Sequence, residues 1–136
     1  MGKIISIVNQ KGGVGKTTTT VNLGVSLSLE GKKILIIDFD QEANATITLG
    51  IKREQVQKDI VNFLFDEKIT TEHIVPTGVE NVDIICASLR ISMLEQMAND
   101  MDTKELMLRN KLEEIKNNYD YILIDYEALI LLYPYH

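Results

Sequence analysis

Apolar residues along this chain fall into short, mostly β-branched runs rather than alternating patterns. The runs are Lys3-Ile4-Ile5-Ser6-Ile7-Val8-Asn9, residues 33–38, residues 82–86 and residues 121–125. Runs of this length read as strands buried on both faces, as in a parallel sheet. Between them, Ile60-Val61-Asn62-Phe63-Leu64-Phe65 suits a short helix. Met93, Leu94, Met97 and Met101 recur at helical spacing, most simply as core packing. Asp102 or Thr103 then caps a helix with Leu108, Leu112 and Ile115 on one face. Strands alternating with helices predict a three-layer, Rossmann-like α/β fold with a parallel sheet and ligands at the strands' carboxyl ends.

One segment departs from its own pattern. Val21, Leu23, Val25, Leu27 and Leu29 alternate with small or polar residues, which by period alone is a strand. The residues just before it require a helix. Lys11-Gly12-Gly13-Val14-Gly15-Lys16-Thr17-Thr18 follows the first strand and has the form of a phosphate-binding loop. Gln10 stands where the usual first glycine of that pattern sits, and Lys11 adds a second lysine, so the loop is a variant. Gly12, Gly13 and Gly15 let backbone N–H groups approach phosphate oxygens with no Cβ in the way. The helix behind the loop turns its positive end to the anion. Lys16 is placed for the β- and γ-phosphates, Thr17 for Mg²⁺, and Thr18 for an α-phosphate oxygen. The ligand implied is a nucleoside triphosphate, and the fold a P-loop NTPase. The helix is expected to be buried on more than one side, with Gly24, Ser26 and Ser28 allowing close packing and Glu30-Gly31 ending it.

Two strand ends carry acids. Asp125 follows an apolar run, the pattern of an acid that holds Mg²⁺, often through water. Asp38 and Asp40 follow the second strand as Asp-Phe-Asp. Carboxylates beside phosphates address a metal or an attacking water, making Thr17, Asp40 and Asp125 the candidate metal ligands; Asp38 equally suits a cap on the next helix.

Composition narrows the classes. The 136 residues make a single-domain length, and a net charge of −6 argues against a surface that is nucleic-acid footprint throughout. The single Cys86 excludes an internal disulfide, fits a reducing cytosol and reads as a small buried residue. No signal peptide precedes the first strand, and no apolar stretch is long enough to span a bilayer. His73 and His136 lack metal-ligand spacing. Lys104, Arg109, Lys111 and Lys116 interleave with Glu105, Glu113 and Glu114, a solvated face rather than a DNA patch.

Three segments together resemble the ParA/MinD family of deviant Walker A ATPases, and within it the Soj-like chromosome- and plasmid-partitioning ATPases. They are Ile7 through Thr18; Ile37-Asp38-Phe39-Asp40 with Asn44-Ala45-Thr46; and Tyr119-Asp120-Tyr121-Ile122-Leu123-Ile124-Asp125. The resemblance implies a slow, Mg²⁺-dependent ATPase that forms an ATP-dependent homodimer, binds DNA nonspecifically and is stimulated by a ParB-type partner. Lys11 then matches the signature lysine that reaches the partner's nucleotide. Asp40 matches the acid that positions the hydrolytic water, and Lys16, Thr17 and Asp125 match the nucleotide and Mg²⁺ residues. A MinD-like cell-division regulator, or a non-catalytic nucleotide-binding remnant, are the alternatives. The MinD-like reading calls for a basic amphipathic C-terminal helix, and residues 126–136 hold no Lys or Arg, so no membrane partner is expected.

The chain departs from the family at Gln41-Glu42 and at Tyr126-Glu127-Ala128, and it ends where family members continue. The expected organisation is therefore residues 1–125 as the N-terminal part of an ATPase domain and 126–136 as a divergent tail. In the family the first strand lies inside the sheet, beside a strand encoded further on; without that neighbour, Ile4, Ile5, Ile7 and Val8 are expected on an exposed edge.

Overall fold

The computed structural model describes the backbone of residues 2–9, 14–97 and 101–127, and the side chains of that set except 8–9, 14–18, 95–97, 101–102 and 127. Five strands form one sheet in the order β1-β5-β2-β4-β3. They are β1 (Lys3–Asn9), β2 (Ile34–Phe39), β3 (Val75–Pro76), β4 (Val82–Ile85) and β5 (Tyr121–Glu127). β1, β5, β2 and β4 run parallel, as the apolar runs predict. β3 is the exception, pairing antiparallel with β4 at the far edge. Two residues, one of them a proline, carry no periodic signal, and a proline is tolerated at an edge.

The apolar strand residues divide between two faces by the period of two. Leu35, Ile37, Ile85, Ile122 and Ile124 pack under α3 (Ile60–Phe65), α4 (Ile91–Met97) and α5 (Met101–Leu112). Ile34, Ile36, Val82, Ile84 and Leu123 face α1 (Val14–Leu29) together with Ala45 of α2 (Asn44–Thr48). The result is the three-layer α/β arrangement. Among the described residues no helix is long and apolar enough to cross a membrane.

The helix expected after the phosphate loop is there, and Gly31 at φ 85° closes it. Its N–H bonds Ser28 O and the Lys32 N–H bonds Leu27 O, satisfying carbonyls the helix leaves open. The packing differs from expectation. The buried face consists of Thr20, Val21, Gly24 and Ser28, while Ser26 is exposed and Leu29 is 81% exposed. A Cβ on Gly24 would stand 3.1 Å from Ile36 Cδ1, so small residues bring this helix onto β2. Of the alternating leucines and valines only Val21 joins the buried face; Leu23, Val25 and Leu27 flank it.

Three further expectations are corrected. α5 already contains Asp102 and Thr103, so neither caps it. Met93 is 57% exposed, while its neighbour Leu94 takes the core position at 2%. The basic face is only partly solvated. Arg109 and Lys116 pair with Glu105 and Glu113 at 3.0 Å, but Lys104 is buried and the Lys111 ammonium donates to the Asp66 carbonyl. Leu108, Leu112 and Ile115 do pack into the core.

His73 is buried and ties the loop between α3 and β3. Its Nδ1 accepts the Thr70 N–H at 2.9 Å, so Nε2 carries the proton donated to Asp66, 2.9 Å away. Lys58 on one side and His73 on the other hold the Asp66 carboxyl below the usual range.

β1 is not the buried strand its composition predicts. It pairs only with β5 among the described residues, leaving Lys3 exposed, Ile5 36% exposed and Ile4 and Ile7 half-buried. Such an edge presents unpaired backbone groups beside isoleucines and templates pairing with another chain. A polypeptide of residues 1–136 is therefore expected to self-associate, measured as scattering mass rising across a concentration series. Ile5→Lys, which places charge on the edge, should reduce that rise. A concentration-independent monomer with a cooperative high-temperature melt would show that the edge is protected.

Candidate nucleotide and metal site

The parallel pairing of β2 with β5 places Asp38 directly opposite Asp125 in register. Asp40 lies one residue beyond the end of β2. All three carboxylates are fully buried, and one oxygen from each lies within 4.8 Å of the others. Asp40 and Asp125, singled out from sequence, thus meet, and Asp38 joins them.

Each carboxylate is tethered by hydrogen-bond donors, Asp125 from α1 and Asp38 and Asp40 from α2 and the turn before it. Asp125 Oδ1 accepts from Thr20 Oγ1 of α1 at 3.2 Å. Asp40 Oδ1 accepts the Glu42 N–H at 2.9 Å, and its Oδ2 accepts from Asn44 Nδ2 at 3.0 Å. Asp38 Oδ1 accepts the Asp40 N–H at 3.2 Å, while Oδ2 takes both the N–H and the hydroxyl of Thr46, at 2.8 and 2.7 Å. The two roles left open for Asp38 are therefore both filled. It sits in the cluster, and it also satisfies an N–H in the first turn of α2, whose N-cap is Ala43. Sequence reasoning passed over Thr20, Asn44 and Thr46 as site residues. The Asn44-Ala45-Thr46 string was the available signal for two of them; Thr20 is hidden in a run of four threonines.

Burial pushes the Asp38 carboxyl up to about 7, and repulsion from Asp125 and Asp40 adds to it against the pull of the Thr46 bonds. Three buried acids with carboxylate oxygens converging on one point form a hard-oxygen set that suits Mg²⁺ or a similar cation. On the adjoining face Phe39 stacks on Tyr126, with ring centroids 5.1 Å apart, bracing the ends of β2 and β5. Cys86, just past β4, is fully buried as expected, its thiol raised to about 12 chiefly by burial.

The phosphate loop is placed less completely. Lys11, Gly12 and Gly13 lie outside the described residues. Val14, Gly15, Lys16, Thr17 and Thr18 form the first turns of α1, with side chains outside the described set. The loop thus runs from the carboxyl end of β1 to the amino end of α1, the position at which backbone N–H groups and the helix dipole favour an anion. Thr20, on the same helix, binds Asp125 and so links the loop's helix to the carboxylates.

These features define an α/β nucleotide-fold protein of the P-loop class. The chain belongs to the AAA domain family, whose pattern matches residues 2–132. It is 46% identical over 125 residues to the sporulation initiation inhibitor protein Soj of Bacillus subtilis, covering 92% of this chain and 49% of that protein. A plasmid partition protein from Borrelia burgdorferi superposes with a TM-score of 0.73 at 30% identity, over 93% of this chain and 57% of the other. Cobyrinic acid a,c-diamide synthase from Mycobacterium smegmatis, crystallised with ADP and magnesium, superposes with a TM-score of 0.82 at 26% identity, over 93% and 51%. These relatives bear out the resemblance to the ParA/MinD family. The chain spans about half the length of the relatives it matches.

The raised Asp38 carboxyl has a consequence for stability. An acid whose folded pKa lies above its unfolded value favours folding most at low pH and loses that contribution as pH rises. The window runs from about 4, the free carboxyl value, to about 7. In EDTA, the melting temperature is expected to fall between pH 5.5 and 8, and Asp38→Asn should flatten that slope. An unchanged slope in the variant would show that Asp38 is already ionised across this range.

Proposed function

We propose that the chain binds Mg²⁺-ATP at the loop of residues 11–18 and hydrolyses it to ADP and phosphate, as a Soj/ParA-type partition ATPase. The observation that supports this most is the convergence of Asp40 and Asp125 at the strand ends, tied through Thr20 to the helix that begins at the phosphate loop. Backbone N–H groups of Gly12, Gly13 and Gly15, with Lys16, neutralise the phosphate charge. The Thr17 hydroxyl and Asp125 are the residues to hold Mg²⁺, which supplies positive charge against the phosphate oxygens. Asp40, held by the Glu42 N–H and Asn44, orients the attacking water through its carboxylate. Lys11 extends to the nucleotide of a second copy, coupling ATP to homodimer formation. The names of the partition relatives support a role in chromosome or plasmid segregation; a ParB-type partner and a cytoplasmic setting are what the family resemblance implies, and DNA binding by this chain is expected to be weak.

Binding and turnover separate experimentally. Lys16→Ala is expected to weaken Mg²⁺-ATP binding by roughly tenfold or more in calorimetry, since that ammonium meets phosphate charge. Asp40→Ala should leave binding within a few-fold while lowering phosphate release by about 100-fold, the loss of a residue acting in the transition state. Equal ATP affinity in wild type and Lys16→Ala would overturn the assignment of the loop. Lys11→Ala should lower both turnover and ATP-dependent dimerisation; full retention of both would reduce that lysine to a surface charge.

A further inference from the structure

Thr46 occupies a junction that neither the loop nor the carboxylate pattern explains. It is 5% exposed, and its hydroxyl does two things at once. It donates to Asp38 Oδ2 at 2.7 Å and accepts the Ala87 N–H at 3.1 Å. With a carboxylate on one side and an N–H on the other, the hydroxyl proton has one direction to point. Three segments meet at this one oxygen: the end of β2 at Asp38, the first turn of α2, and the backbone just after β4.

The turn that Thr46 secures is a costly one. Ala43 has φ 60° and ψ 35°, left-handed backbone that is strained on a residue with a Cβ. Such a turn persists only where its surroundings hold it. The Ala43 N–H bonds Asp40 O, Asn44 bonds Asp40 Oδ2, and Thr46 anchors the following turn to Asp38 by two bonds. Asp38 in turn accepts the Asp40 N–H. The position of Asp40 is therefore fixed on two sides by a relay that closes at Thr46. Beyond Thr46 lies a cavity of about 250 Å³, whose wall includes Ala43, Ala87, Ser88 and Arg90.

We propose that Thr46 is a positioning residue for hydrolysis: its hydroxyl holds the Asp38 carboxylate against α2 and Ala87, and Asp38 holds Asp40 on the water. This rests on the hydrolysis reading above. Asp40 touches the reacting water; Thr46 acts on it only through Asp38. The hydroxyl is what matters, so serine preserves the function and valine, of equal shape, removes it.

The test uses the 136-residue chain with Thr46→Val, Thr46→Ser and, should the valine variant fold poorly, Thr46→Ala. The expected result is a kcat about tenfold lower in Thr46→Val or Thr46→Ala, with KM for ATP within about twofold. Thr46→Ser should lie within about twofold of wild type in both. A second reading needs no turnover. In ¹⁵N-labelled protein, the Asp40 and Ala87 amide resonances should move in the valine and alanine variants and return in the serine variant. An unchanged kcat in Thr46→Val, a loss that appears in KM alone, or equal loss in serine and valine overturns the proposal. So does an Asp40 amide that ignores the substitution. If wild type shows no turnover, the hydrolysis reading fails, and the amide shifts alone decide whether Thr46 fixes Asp40.

Discussion

The parallel pairing of β2 with β5 is the constraint on which the rest depends. Its register sets Asp38 against Asp125 in the centre of the sheet, and the backbone turn after β2 brings Asp40 to the same point. Unit charges about 5 Å apart repel by roughly 3 kcal/mol at an effective dielectric constant of 20, before any cost of burial. A fold that gathers three buried carboxylates this way must offset them. It does so partly with donors from α1, α2 and the turn after β2, and partly by raising the Asp38 carboxyl to about 7. A divalent cation beside a bound phosphate would add to that offset.

The same pairing explains why the helices sit where they do. α1 lies close against β2 at Gly24, where a Cβ would stand 3.1 Å from Ile36 Cδ1, and its Thr20 reaches Asp125 of β5 at 3.2 Å. On the opposite face larger side chains fill the space: Phe63, Leu94, Leu108 and Leu112 cover Leu35, Ile37, Ile122 and Ile124. The thin side of the sheet carries the chemistry, and the thick side carries most of the apolar burial.

Much of this was legible beforehand. The four parallel strands were visible because strands buried on both faces read as unbroken apolar runs, and Gly31 marked the end of α1. Asp40 and Asp125 were visible because an acid at a strand's carboxyl end beside a phosphate loop has few other reasons to be there. What stayed hidden depends on contacts distant in sequence. Thr46 meets Asp38 from eight residues away and Ala87 from 41, and Thr20 meets Asp125 from 105. No local period records such pairs. β1 shows the converse: its composition alone misreads it, while the open edge expected from the family resemblance is met. Its isoleucines predict burial, yet burial of a strand is decided by its neighbours, and the described residues place one on a single side. Met93 is similar: its spacing fits a helix face, but Leu94 takes the inward position.

The central claim is that these carboxylates are a cation site completed by nucleotide, and Mn²⁺ uptake followed by electron paramagnetic resonance tests it most directly. With ADP present, the chain is expected to take up one protein-immobilised Mn²⁺, and the double substitution Asp40→Asn with Asp125→Asn should weaken that uptake by about tenfold or more. Uptake that is the same with both carboxylates neutralised would contradict the account, leaving Asp38, Asp40 and Asp125 as a structural cluster with no cation to hold.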